Sequence, residues 1–80
     1  MIELIANRIT SKKIRDEIID AAKDAGDIKE SERVRKAALR VLFGYWKKHF
    51  PKKKQNINCS GCRKAVHKFW ENVTLEWDKK

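Results

Sequence analysis

Large apolar side chains recur at every third or fourth position in the last part of the chain, and this spacing limits the folds open to it. The positions are Cys62, Val66, Phe69, Trp70, Val73 and Trp77. They fall on one face of an α-helix, whereas a half-exposed strand would alternate apolar and polar residues. The pattern therefore predicts a helix over about 60–77, capped by Asn58 or Ser60.

A second segment, about 12–25, shows the same helical spacing with smaller side chains. Its apolar positions are Ile14, Ile18, Ala21, Ala22 and Ala25. Ser11 provides a hydroxyl that can accept from the free N–H groups of the first turn. Gly26 is expected to end the helix in the left-handed conformation. The apolar residues within 2–9 indicate a short helix or an extended lead-in.

The third predicted helix is the longest and runs over about 28–50. Asp27 and Glu30 have the spacing of a capping box at its start. Pro51 ends it, because proline disfavours helical backbone in the residue before it. The predicted buried face consists of Val34, Ala38, Val41, Leu42, Tyr45 and His49.

These elements predict an all-α fold. The expected architecture is a small single domain of three to four helices over 1–80, with a long central helix, a basic linker at 51–58 and an aromatic C-terminal helix. Eighty residues leave room for one such domain. Apolar stretches are interrupted by Lys or Arg well before the roughly 20 residues of a membrane span, so no membrane association is expected.

Charge is distributed very unevenly along the chain. Residues 1–32 hold six bases and eight acids, a net charge of −2, whereas residues 33–80 hold fourteen bases and three acids, a net charge of +11. From Arg33 to Trp70 there are twelve bases and no acid. This imbalance favours a polyanionic partner, either nucleic acid or an acidic protein surface. The alternative is a charged surface that serves solubility alone.

The candidate binding surface combines the basic residues of the last two helices and their linker with one aromatic ring. Trp46 lies off the apolar face, so its ring is a candidate to stack on an unpaired base; the alternative is that it packs against Phe69 or Trp70. No motif for reading a defined base sequence is present, so RNA or DNA would be bound independently of sequence. The predicted site residues are Arg33, Lys36, Arg40, Trp46, Lys47, Lys48, Lys52, Lys53, Lys54, Arg63, Lys64 and Lys68.

Cys59 and Cys62 form a C-x-x-C pair with three interpretations. A redox-active pair would place a reactive thiolate at a helix start, although such motifs usually follow a strand. A zinc site would need four ligands, and the available set is His49, Cys59, Cys62 and His67. The preferred interpretation is two reduced cysteines without metal or other cofactor, as expected of an intracellular, cytoplasmic protein.

No catalytic constellation is recognisable in the sequence. Phosphate-binding glycine loops, metalloprotease motifs and nucleophile elbows are absent from it. His67 and Glu71 are four residues apart, a spacing typical of a pair along one helix face. We therefore expect a protein without enzymatic activity.

The chain is short and lysine-rich, and its aromatic last helix begins with the run Asn58-Cys59-Ser60-Gly61-Cys62-Arg63. In these features the chain resembles small phage-encoded accessory proteins. Inhibitors of host nucleoproteins, such as anti-CRISPR proteins, belong to that group. The similarity extends over the whole chain in its general character and assigns no site residue. It implies an alternative function, in which the chain binds a host nucleic-acid-handling protein, for example a CRISPR effector, and interferes with its guide or target RNA or DNA.

Overall fold

Four helices account for most of the chain in the computed structural model, which describes residues 1–79. The helices are α1 (Ile2–Arg8), α2 (Lys12–Gly26), α3 (Glu32–His49) and α4 (Ser60–Asp78). The predicted all-α fold is confirmed. Of the short helix and the extended lead-in left open for the first residues, the structure has the helix, α1, and residues 50–59 form the linker between α3 and α4. Among the described residues, no helix has the length and apolar character that crossing a membrane requires.

The start of α3 differs from the prediction. The helix was expected over 28–50, but it spans Glu32–His49 and its N-cap is Ser31, whose hydroxyl accepts from the backbone N–H three residues later at 3.2 Å. The Asp27 carboxylate instead accepts from the backbone two residues on, at 2.9 Å. Short polar side chains favour such local turns over helix. The Asp27–Glu30 capping box is therefore wrong.

Gly26 ends α2 for a reason other than the predicted left-handed conformation. Its φ is not positive, and Asp27 caps the helix in extended backbone. A Cβ at Gly26 would lie 2.9 Å from Cε1 of His67. The His67 ring is fixed there because its Nε2 lies 2.8 Å from the carbonyl oxygen of Ala22. A carbonyl only accepts, so Nε2 carries the proton, and glycine at position 26 provides the space for this contact.

The core lies where α4 packs against the other helices. Six side chains are almost completely buried, namely Ile5, Ile18, Leu42, Val66, Trp70 and Val73. Val34, predicted to be buried, is 37% exposed. It lies in the first turn of α3, and only later positions of that helix are buried. The molecule measures 32 × 29 × 17 Å, so it is about two helices thick, since one helix with side chains is roughly 10 Å across.

The first helix is attached through its C-terminal carbonyl groups. An isolated helix of seven residues is unstable in water, and its last carbonyls have no partner within the helix. The carbonyl of Ala6 accepts from Nε1 of Trp77 at 2.9 Å and from Arg15 at 3.5 Å. Arg15 also donates to the carbonyl of Ile9 at 2.6 Å, and its guanidinium lies 5.2 Å from the ring centroid of Trp77. Trp77 and Arg15 therefore hold α1 against α4 and α2.

Replacing Trp77 by phenylalanine tests this attachment. Trp77→Phe keeps an aromatic ring but removes the indole N–H, which leaves the buried carbonyl of Ala6 with only its long contact to Arg15. We expect the free energy of unfolding to fall by about 1–3 kcal/mol, measured by urea denaturation. Amide hydrogen exchange should accelerate more in α1 than in α3. Uniform acceleration in both helices would contradict the attachment.

Candidate functional site

A groove opens between the C-terminal half of α3 and the linker, and we call it the basic groove. It has a volume of about 620 Å³. Apolar side chains and one glycine line it together with lysine and arginine, and none of the described residues along it is acidic. Its lining residues are Arg40, Phe43, Gly44, Trp46, Lys47, Phe50, Pro51, Lys53, Lys54, Gln55, Asn56 and Ile57.

The linker is ordered by hydrogen bonds at both ends. The indole Nε1 of Trp46 donates to the carbonyl of Lys53 at 2.9 Å, and the backbone N–H of Lys53 donates to the carbonyl of Phe50 at 3.1 Å. At the other end, Arg63 of α4 donates to the carbonyl of Ile57 at 3.1 Å. The backbone N–H of Cys59 also reaches the carbonyl of Asn56 at 3.0 Å. These bonds fix the position of the linker, which forms one wall of the basic groove.

A smaller cleft adjoins the basic groove and extends its positive charge. Arg40 and Ile57 line both, and Lys36 and Arg63 line the cleft. Lys36 also forms an exposed ion pair with Glu32 at 3.6 Å, a kind of pair that contributes little stability. Cations from α3, the linker and α4 therefore line the basic groove and the cleft beside it.

Seven of the twelve predicted site residues line the basic groove or the cleft. They are Lys36, Arg40, Trp46, Lys47, Lys53, Lys54 and Arg63. The other five are exposed but line neither the basic groove nor the cleft; they are Arg33, Lys48, Lys52, Lys64 and Lys68. The structure therefore brings seven of the predicted residues together, and the other five lie outside the lining of the basic groove and the cleft.

Trp46 is packed against other rings. Its ring meets Phe69 edge-on with centroids 5.2 Å apart and tilts against Phe50 at 4.6 Å. Packing against Phe69 was the alternative to a free stacking ring. Because the indole N–H is also bound to the linker, Trp46 serves chiefly to position the wall of the basic groove.

Seven lining residues of the basic groove are not among the site residues predicted from the sequence, namely Phe43, Gly44, Phe50, Pro51, Gln55, Asn56 and Ile57. Phe43 lies three residues after Arg40 and four before Lys47, so the helical period alone places it beside both cations. No helical spacing in the sequence places Ile57 in the groove, because its position depends on the path of the linker.

The candidate zinc ligands do not assemble into a site. Among residues 1–79, no three His, Cys, Asp or Glu side chains are grouped so that they can hold a metal ion. His67 pairs with Glu71 at 3.5 Å, the predicted helical pair, besides its contact with α2. The ring of His49 lies edge-on to Trp70, with centroids 6.3 Å apart. Burial, together with the charges of Lys48 and Arg8, lowers the pKa of His49.

The two cysteines are free and lie at the start of α4. Cys59 is exposed and is the N-cap, with its Sγ 3.5 Å from the backbone nitrogen of Cys62. Hydrogen bonds from Cys62 and Gly61, together with the positive charge of Arg63, lower the pKa of the Cys59 thiol. A greater share of thiolate near neutral pH makes a thiol more reactive towards electrophiles.

This pKa direction predicts a measurable difference in alkylation. In Cys62→Ser, which retains the backbone donor, the rate of iodoacetamide reaction at Cys59 should reach its half-maximum at lower pH in the folded protein than in urea. The unfolded chain is the control, since it lacks the N-cap geometry. Mass spectrometry after timed quenching gives the rates, and equal midpoints would refute the effect of the cap.

Comparison with protein families, with curated proteins and with solved structures found no match to this chain.

Proposed function

We propose that the chain is a non-enzymatic protein that binds nucleic acid along the basic groove and contacts chiefly the phosphate backbone. One observation carries this proposal: cations of α3 and the linker line an apolar groove, cations of α3 and α4 line the cleft beside it, and neither has an acidic lining residue among residues 1–79. Lysine and arginine that neutralise phosphates release condensed counterions, which drives association without base recognition. Both RNA and DNA are therefore ligands of this surface.

The arrangement of these cations fits a phosphate chain. Lys36, Arg40 and Lys47 are spaced by four and seven residues and so follow one side of α3. Lys53 and Lys54 face them from the linker, and Lys47, Lys53 and Lys54 are exposed. Exposed side chains exchange water for phosphate at small desolvation cost. The ordered linker limits how far these charges can move apart, so binding does not have to order it first.

Neutralising the linker side of the basic groove should weaken binding. We expect Lys47→Gln/Lys53→Gln/Lys54→Gln to reduce affinity for labelled single-stranded RNA by at least about tenfold at ~50 mM salt. The slope of log affinity against log salt should become shallower by about 2, since each lost phosphate contact removes roughly 0.7. Fluorescence anisotropy from ~50 to ~200 mM salt measures both quantities.

The matched control removes the same charge elsewhere. Lys12→Gln/Lys13→Gln/Lys23→Gln alters three exposed lysines of α2, none of which lines the basic groove. It should leave the salt slope nearly unchanged. Equal losses in the two triple variants would show that net charge alone governs binding and would overturn the groove as the site.

A second candidate function is inhibition of a nucleic-acid-handling protein, and a separate surface favours it. Met1, Leu4 and Leu75 are 67%, 53% and 56% exposed, and Met1 and Leu75 line a shallow depression between α1 and α4. This depression shares no residue with the basic groove. Exposed apolar patches often mark protein interfaces. If RNA, single-stranded DNA and duplex DNA all fail to bind at ~50 mM salt, the first function is excluded and this one remains.

A further inference from the structure

Gly44 has no structural explanation within the fold. It lies in the interior of α3, where glycine weakens a helix relative to alanine. A Cβ at this position would meet no atom of another segment within 4 Å, so within residues 1–79 no packed neighbour requires its absence. Gly26 differs, because there a Cβ would collide with His67. The space beside Gly44 belongs to the basic groove.

Phe43 lies beside this open space and packs against the core, but its ring has no aromatic partner in the part of the chain that the structure describes. It is half-buried and lines the basic groove. Among residues 1–79, its ring takes no part in the cluster that links Trp46, Phe50, Phe69 and Trp70. Trp46 was the candidate stacking ring from the sequence, with packing against Phe69 or Trp70 as the alternative, and its indole is held by Phe69 and Lys53. Phe43 is therefore the ring more available to a ligand.

Positive charge lies on both sides of this pair of residues. Arg40 and Lys47 line the same groove and are seven residues apart, which corresponds to roughly 10 Å along the helix axis. A ligand with a flat apolar group between anionic groups complements this arrangement. A nucleotide within a single strand has that chemistry, because its base is flat and its phosphates lie on either side.

We propose that the basic groove accepts one unpaired base of a single-stranded nucleic acid, stacked on Phe43 above Gly44, with Arg40 and Lys47 contacting the flanking phosphates. This inference rests on the proposed function and narrows its ligand class to single strands. The groove volume of about 620 Å³ is within the usual range for small-ligand sites. A base within a duplex cannot enter, since its faces are covered by neighbouring base pairs.

The first test distinguishes the contribution of the base to binding from that of the phosphates. Labelled oligodeoxythymidylate of about eight nucleotides is compared by fluorescence anisotropy with an abasic strand of equal length and with a thymidine–adenine duplex. We expect the abasic strand to bind about five- to a hundredfold more weakly, as stacking of one base predicts. The duplex should also bind more weakly than the single strand. Equal affinity of the thymidylate and abasic strands would overturn the proposal.

The second test fills the space above Gly44. Gly44→Gln should raise the melting temperature, because it replaces a helix-interior glycine in open space, yet it should weaken thymidylate binding at least about fivefold. Ala37→Gln is the matched control, since Ala37 is exposed on α3 and does not line the basic groove. Unchanged affinity in Gly44→Gln would overturn the proposal, and its raised melting temperature excludes misfolding as the cause of a loss.

The third test addresses the ring itself. Phe43→Leu keeps an apolar side chain at this half-buried position but removes stacking, whereas Phe43→Trp keeps a ring. We expect the leucine variant to lose thymidylate affinity and to bind the abasic strand as the wild type does, while the tryptophan variant retains thymidylate affinity. A leucine variant that loses affinity equally for both strands would indicate general disruption and would contradict the stacking role.

Failure of this inference is distinguishable from failure of the proposed function. If Gly44→Gln and Phe43→Leu bind like the wild type while the Lys47, Lys53 and Lys54 triple variant binds weakly, the groove contacts phosphate only. That result overturns the base site and keeps the proposed function. If the triple variant also binds like the wild type, both are overturned.

Discussion

The three tryptophan indole groups each donate a hydrogen bond to a backbone carbonyl of a different segment, and the tertiary structure depends on these bonds. Trp70 donates to Leu42 of α3 at 3.0 Å, Trp77 to α1 and Trp46 to the linker. A buried indole N–H without a partner would be unfavourable, so the bonds of Trp70 and Trp77 allow these two large rings to be buried, whereas the bond of the half-buried Trp46 fixes the linker. The segments fixed in this way include a seven-residue helix and an irregular linker, neither of which is stable alone.

The same bonds shape the candidate site. Because the indole of Trp46 holds the carbonyl of Lys53, the linker turns back along α3 and brings Lys53 and Lys54 opposite Arg40 and Lys47. Gathering like charges in this way opposes folding by mutual repulsion, and the packing of Trp46 against Phe50 and Phe69 helps to offset it. A polyanion would remove that repulsion on binding. The basic groove is therefore both a product of core packing and a surface suited to a negatively charged ligand.

The sequence predicted much of the helical architecture but only part of the site. Helical periodicity identified α2 and α4, because their apolar positions repeat over several turns. It placed the start of α3 four residues early, since Asp27 and Ser31 are both suitable caps and only the tertiary structure shows which one is used. The cations could be identified because they lie in a stretch of sequence without acidic residues. Ile57 could not, because its place in the groove depends on the path of the linker, and the linker has no regular spacing of apolar residues.

The two helical glycines have different surroundings, and this difference indicates why glycine stands at each position. At Gly26, the nearby ring of His67 accounts for the absent side chain. At Gly44, glycine weakens the helix, and within residues 1–79 no other segment lies within 4 Å of the position that a Cβ would take. A helix-interior glycine in open space, beside a half-buried ring that has no aromatic partner among residues 1–79 and between two cations, is the pattern expected where a ligand approaches the backbone closely. A side chain at position 44 would stabilise α3 but would also fill part of the space that a ligand could occupy in the basic groove. Helix stability and ligand access therefore favour different residues at this position.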